Sequence, residues 1–318
     1  MTPEISIIVP SFNEEKNISR CLNSLLSQNY QNFEIICVDN ASTDSTFEII
    51  KSFAEKDKRI KPFHIEEKGV SNARNFGIEN SCGKYIGFID ADDFIQPQMY
   101  EFMIRAIEEN QCDFVCCRYK KVDEINIRKF DFSCRKFRTD EFIDFTDKNF
   151  VSENELIISS ACTKLIKKEF VGNFKKFKIG EDTVFCSELF KNHKNFVLVD
   201  LPLFCYYNNS ESVSFTDLKS DKWFDLLVTR FTAFENFKSC NKKTSEFYLD
   251  RGMKNILSYR FNLNSNKYKK EFRNYFNKYI SCYLKCENIS LKYKLSVILF
   301  YYFPCAYEAY RKKTDSTL

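Results

Sequence analysis

The sequence predicts an α/β protein: a mostly parallel sheet flanked by helices, followed by a mainly helical C-terminal region. Three observations carry this. Short β-branched runs alternate with amphipathic helical stretches along the first 120 residues. Of 318 residues, 44% are apolar and 29% charged, which supplies a sizeable core and excludes wholesale disorder. From Trp223 onward the pattern turns helical and aromatic-rich. Only 7 Gly and 6 Pro exclude collagen-like and linker-rich architectures.

Taken in order, Ile5 to Val9 is a β-branched run ending at Pro10, the pattern of a strand buried on both faces. Asn13 is the expected N-cap of a helix from Glu14 to Gln28, with Ile18, Cys21, Leu22, Leu25 and Leu26 on one face. Phe33 to Val38 is a second buried strand. Ser42 or Thr43 is expected to cap a helix from Ser45 to Lys56, with Phe47, Ile50 and Phe53 facing in. Ile60 to Ile65 reads as a strand, Val70 to Asn80 as a helix and Tyr85 to Ile89 as a fourth strand. Pro97 to Asn110 is another helix, and Asp113 to Tyr119 another strand. Repeated βα units imply a parallel sheet, and ligands of such sheets bind beyond the carboxyl ends of the strands. The polar clusters of this chain sit at those ends. After Lys120 the pattern loosens.

Charge is distributed unevenly. Residues 219–318 hold 20 Lys plus Arg against 9 Asp plus Glu, a balance of +11; the first 218 hold 28 against 35, or −7. A basic tail beside an acidic body predicts an anionic partner surface, a membrane rather than nucleic acid. Lys267, Lys269, Lys270, Arg273, Lys278, Lys285, Lys292 and Lys294, interleaved with Tyr, Phe and Leu, and the closing Arg311-Lys312-Lys313 suit lipid headgroups. A helical cap with a solvated basic face is the alternative. No apolar run reaches the ~18 residues that span a bilayer; the longest is Leu295 to Phe303. The chain starts almost directly on a strand and is long enough to fold without staples. Its 14 Cys are therefore expected to be free thiols in a reducing cytoplasm.

Several chemistries are set aside. Neither GxGxxG after the first strand nor GxxxxGK[ST] is present. His64 and His193 are the only histidines, too few for a His-based zinc site or a Ser-His-Asp triad, and His64 is expected to be structural. Cys112, Cys116 and Cys117 are expected in the core, since adjacent strand residues point to opposite faces. What remains is carboxylate chemistry. Asp90, Asp92 and Asp93 follow a buried apolar strand, and acids so crowded repel one another unless a cation sits among them. Mg²⁺ or Mn²⁺ would share such oxygen ligands with substrate phosphates. A solvated acidic turn ahead of the helix after Pro97 is equally open on this chemistry.

Five segments in order make a stronger pattern. They are Ile7 to Glu14, Val38 to Asp44, Gly69 to Gly77 with Arg74 inside, Asp90-Ala91-Asp92, and Gly180-Glu181-Asp182-Thr183, followed by Tyr206 to Ser214. Over roughly residues 3–215 the chain resembles the family-2 glycosyltransferases, inverting enzymes of the GT-A fold that use nucleotide-sugar donors. The resemblance implies a catalytic domain over 1–218, with a nucleotide-sugar half to about 120 and an acceptor half beyond. Residues 219–318 would then be a separate helical region.

Carried over by residue, the resemblance puts Pro10, Phe12 and Glu14 around the nucleobase, with Asp39 accepting from a uracil imide N–H. Arg74 would meet the diphosphate, a surface ion pair being its alternative. Asp90 and Ala91 would contact the nucleotide sugar, Asp90 also touching ribose or a metal-bound water, and Asp92 would ligate Mn²⁺ or Mg²⁺. Asp182 would be the general base with Glu181 beside it; favouring a helix N-terminus is the alternative role for both. Lys164 and Tyr207 would frame the acceptor side. Asn40 stands where many relatives carry a second Asp, and Asn208-Asn209 follow Tyr206-Tyr207 where many carry Arg or His. The resemblance further implies a UDP-linked hexose or N-acetylhexosamine, and a capsule or lipo-oligosaccharide glycan acceptor. It also implies a cytoplasmic location, with peripheral attachment to the inner face of the inner membrane. A sugar-phosphate nucleotidyltransferase and a non-catalytic nucleotide-sugar-binding domain are the alternatives; the first would open on a Gly-rich basic loop, which is missing here.

Overall fold

A computed structural model describes residues 2–122, 131, 133–138, 156–193, 195–207, 220–262, 268–287 and 289–303. The expected boundary at 218, the segment 208–214 with Asn208-Asn209, Lys267 and Arg311-Lys312-Lys313 lie outside the described residues.

Strands β1 (Ile5–Ser11), β2 (Phe33–Asn40) and β4 (Tyr85–Phe88) are buried along their whole length, which is why their sequences read as unbroken apolar runs. With β3 (Ile60–Ile65) they form the parallel half of one sheet. Helices α1 (Ile18–Leu26), α2 (Thr46–Lys56) and α3 (Val70–Glu79) connect them. Helix α3 lies so close to β1 that a Cβ on Gly77 would sit 2.4 Å from Ile8 Cγ2, so only glycine fits there.

Two cap expectations are corrected. Helix α1 starts at Ile18 rather than Glu14, because Asn13 adopts a left-handed φ of 54° and turns its side chain away to Thr43. Neither Ser42 nor Thr43 caps α2; the N-cap is Ser45, whose side chain makes no cap bond, and Asp44 Oδ1 just before it accepts from Thr46 N–H at 3.0 Å.

Beyond β4 the sheet becomes mixed. It runs β3-β2-β1-β4-β8-β6-β9-β5, with β7 on β9, where β5 is Phe94–Ile95, β6 Phe114–Val122, β7 Cys134–Arg138, β8 Lys164–Lys167 and β9 Asn195–Tyr207. Strand β8 is antiparallel to both β4 and β6, whereas β6 and β9 are parallel. Helix α4 (Met99–Asn110) packs on this half, and α5 (Glu181–Asn192) precedes β9.

The C-terminal helices α6 (Ser220–Lys238), α7 (Lys242–Asn262), α8 (Lys269–Lys285) and α9 (Leu291–Tyr302) continue the same core. Stacked rings join them: Phe231 on Tyr279 at 4.3 Å, Phe224 on Tyr268 at 4.4 Å and Phe237 on Tyr248 at 5.6 Å. The aromatic bias of this region is thus its packing. Helix α6 braces α5: Asn236 Nδ2 donates to Ser187 Oγ at 3.0 Å, and Lys178 N–H donates to Asp225 Oδ2 at 2.7 Å. The 13 described cysteines are all free, and Cys112, Cys116 and Cys117 are buried as expected. No helix among the described residues is long and apolar enough to cross a membrane.

Candidate active site

The loops leaving β1 and β2 are laced together at the carboxyl edge of the sheet. Asn13 N–H donates to Ser42 Oγ at 2.9 Å, Glu14 N–H to Thr46 Oγ1 at 2.8 Å and Ser45 N–H to Glu15 Oε2 at 3.1 Å. Phe12 is left exposed at this rim, with Lys68 Nζ 5.4 Å above its ring. Pro10 is buried within β1 and presents no such face. Asp39, next to last in β2, is fully buried. Its Oδ2 accepts from Ser42 N–H at 3.3 Å and lies 2.7 Å from His64 Nδ1, while its Oδ1 has no partner. A buried acceptor without a donor is an expensive arrangement. His64 also faces Glu66 at 3.2 Å, and its hydrogen bond to Asp39 raises its pKa. His64, expected to be structural, holds the buried Asp39 carboxylate.

Next to these loops lies the acidic turn after β4. Asp90 is partly exposed, Ala91 is buried, Asp92 is half-buried and Asp93 is buried with its Oδ1 accepting from Tyr207 N–H at 2.8 Å. Burial, reinforced by Asp92 and Asp90, pushes the Asp93 carboxyl well up. Glu14 is pushed up to about 7, mainly by burial, with Asn17 opposing and Asp92 and Asp90 adding. Glu14 thus stands toward the acidic turn rather than only beside a base pocket. Arg20, which the sequence did not single out, clamps the turn: its Nη2 donates to the Asp92 carbonyl at 2.6 Å, and its guanidinium lies 3.7 Å from the centre of the Tyr207 ring. Tyr207 is thereby held against this turn.

One buried cation ties the turn to the start of α5. Arg74, on α3, is 2% exposed; its Nη2 donates to Asp90 Oδ1 at 2.7 Å, and its Nη1 to Glu181 Oε1 at 2.8 Å and Asp182 Oδ1 at 2.7 Å. The guanidinium rests 5.0 Å from the Phe174 ring, and Phe174 is held to α3 by reciprocal bonds with Asn75 at 2.8 and 2.9 Å. Burial works against the charge of Arg74, but Asp182, Asp90 and Glu181 outweigh it. Arg74 is therefore not a surface ion pair but a buried hub bonded to three carboxylates.

Asp182 is 18% exposed at the side chain. Burial pushes its carboxyl up to about 7; Arg74 opposes the shift, and Glu181 and Asp90 add to it. Gly180 before it has φ 82°, and a Cβ there would lie 2.5 Å from Thr229 Oγ1 on α6. The C-terminal helices therefore help set where the Asp182 helix begins. Lys164 lies deep in the sheet: fully buried, its Nζ donates to the Ile157 and Ser160 carbonyls, each at 2.6 Å. It holds the segment before β8 in place.

Among the described residues, no three His, Cys, Asp or Glu side chains form a metal cage. The acidic turn nonetheless fits a hard divalent ion that takes one or two carboxylates and completes its shell with substrate phosphates and water. Its donors are oxygen only, Asp90 and Asp92 are partly exposed, and their charges add to burial in pushing the Glu14 and Asp93 carboxyls up.

A family model described as glycosyl transferase family 2 matches residues 6–173, more than half of the chain. The chain belongs to this family. EpsJ, a glycosyltransferase of Bacillus subtilis, is 41% identical over 121 residues, 38% of this chain and 35% of EpsJ. GlyA, a glycosyltransferase of Streptococcus pneumoniae, is 30% identical over 232 residues, 71% of this chain and 33% of GlyA. The chain thus spans about a third of the length of either relative. In fold it is similar to residues 1–349 of Staphylococcus aureus TarS, solved with UDP-GlcNAc: TM-score 0.65 at 19% identity, covering 87% of this chain and 81% of that one. The α/β architecture with a helical C-terminal region is the GT-A arrangement expected from the sequence.

Proposed function

We propose that this protein is an inverting glycosyltransferase. It moves a hexose or N-acetylhexosamine from a UDP-sugar to a sugar hydroxyl by a single displacement. The observation that carries this reading is the Asp182 carboxyl: partly exposed, raised to about 7, and joined through Arg74 to Asp90 of the acidic turn. A base titrating near neutral pH matches the demand of taking a proton from an alcohol as it attacks.

In the reaction the acceptor oxygen attacks the anomeric carbon and Asp182 takes its proton. The bond to the diphosphate oxygen breaks on the opposite face, and UDP leaves with the electron pair. One carboxylate and one displacement give inversion. Arg74 holds Asp182, Glu181 and Asp90 in one frame. Phe12 offers a ring to the base, and the unpartnered Asp39 Oδ1 accepts from the uracil imide once the laced loops admit it. Asp92 and Asp90 would hold a divalent ion, which would supply charge neutralisation for the departing diphosphate. TarS, of the same fold, holds UDP-GlcNAc, which supports a uridine donor. The basic C-terminal third supports a cytoplasmic enzyme resting against an anionic membrane.

Release of UDP from UDP-sugars tests the reading. It is expected to depend on Mn²⁺ or Mg²⁺, and Asp92→Asn to abolish that dependence with the fold intact. Pyrophosphate release from a sugar phosphate and UTP, or Asp92→Asn with an undiminished metal response, would overturn it.

A further inference from the structure

Helix α9 is apolar on the side that faces away from the protein. Leu291, Leu295, Ile298 and Tyr302 recur at spacings of four, three and four residues, which places them on one stripe of a helix. Leu291 is 70% exposed, Leu295 53% and Tyr302 66%, with Phe303 just beyond at 62%. The opposite side is anchored: Val297 is fully buried, and Lys254 Nζ of α7 lies 4.2 Å from the centre of the Tyr293 ring. Isolated exposed leucines are ordinary, but a contiguous apolar stripe marks a contact surface.

Charge selects the occupant. Helix α9 carries Lys292, exposed on one flank of the stripe, and Lys294 on the other, bonded to the Cys286 carbonyl, and it contains no acid. The exposed positions of α8 include Lys269, Lys270, Arg273, Lys278 and Lys285, again without an acid. A second copy would bring the same positive charge against itself, whereas an anionic lipid surface attracts it and accepts apolar side chains beneath its headgroups.

We infer that α9 lies in the plane of an anionic bilayer interface. Leu291, Leu295, Ile298 and Tyr302 sink below the headgroups, and Lys292 stays among the phosphates. This rests on the reading of the C-terminal third as the membrane-facing side, and names the element that makes the contact.

Sedimentation of the full chain with vesicles of phosphatidylcholine, alone or mixed with phosphatidylglycerol, tests it. Wild type is expected to bind the mixed vesicles preferentially. Leu291→Ser combined with Leu295→Ser is expected to bind about tenfold more weakly. Both leucines are exposed, so circular dichroism and donor-dependent UDP release in plain buffer should not change. Leu291→Glu alone gives the same comparison if the double variant loses helix. Wild type without preference for the anionic vesicles overturns the membrane reading and the inference together. Preferential binding that both variants retain overturns the α9 assignment alone. A wild-type dimer that the leucine variants dissolve, seen by light scattering without vesicle binding, identifies a second copy as the occupant and overturns the inference.

Discussion

Two regions of the molecule handle charge in opposite ways. Around Arg74, one buried cation is shared by three acids within 2.8 Å, from elements far apart in sequence. On α8 and at Lys292 of α9 the cations point outward, distributed along two helices consecutive in the chain. Buried charge in a low-dielectric setting is strong, directional and costly to leave unmatched, so it fixes geometry and tunes proton affinity. Exposed charge is weak per residue, screened by salt and additive, which suits a broad surface partner. The first region has the properties of a reaction centre, the second those of a docking face.

The contrast breaks if the two regions respond alike to loss of a cation. Arg74→Gln leaves Asp90, Glu181 and Asp182 facing one another unmatched, with an expected loss of about 3–5 kcal/mol in chemical denaturation. A loss below about 1 kcal/mol would mean that the cluster relaxes and carries no fixed geometry.

The pH profile comes next in size. Below about 7 the Asp182 carboxyl is protonated and cannot take a proton, so kcat/KM should rise with pH through an acid limb centred near that value. Glu181→Gln removes a neighbouring negative charge that raises the Asp182 pKa, so the limb should move to lower pH. A limb that stays in place would take Asp182 out of the titration. The smallest effect belongs to the surface. Lys270→Ser with Arg273→Ser should change stability by no more than about 0.5 kcal/mol, and a larger loss by denaturation would show that α8 depends on those charges.

How far the sequence could be read follows the same division between local and distant contacts. Strands β1, β2 and β4 were legible because burial on both faces leaves an uninterrupted apolar run, and helix α1 because Ile18, Cys21, Leu22 and Leu25 form its buried stripe. Strand β9 was not. Asp200 and Pro202 interrupt its pattern, and its pairing with β6 is irregular near Arg118, where Pro202 has no N–H to donate. The acidic turn and the Glu181-Asp182 pair were visible as motifs, but their convergence on Arg74 was not, since Asp182 lies 108 residues away in the chain. Arg20 and His64 give no local signal at all. They matter through an Asp92 carbonyl and an Asp39 carboxylate brought to them by the fold. Lys164 gives no local sign of its partners either, and only the fold reveals that its ammonium group donates to two carbonyls.

In the proposed reaction Asp182 takes the acceptor proton while other residues hold the donor. Asp182→Asn keeps the shape and removes the basicity, so transfer to an acceptor, or slow hydrolysis of the donor by water, should fall by about 10² to 10⁴. The dissociation constant for UDP, measured on the same preparation, should barely move. Transfer within a few-fold of wild type in Asp182→Asn, with Glu181→Gln inactive, would contradict the account and move the base to the neighbouring carboxylate.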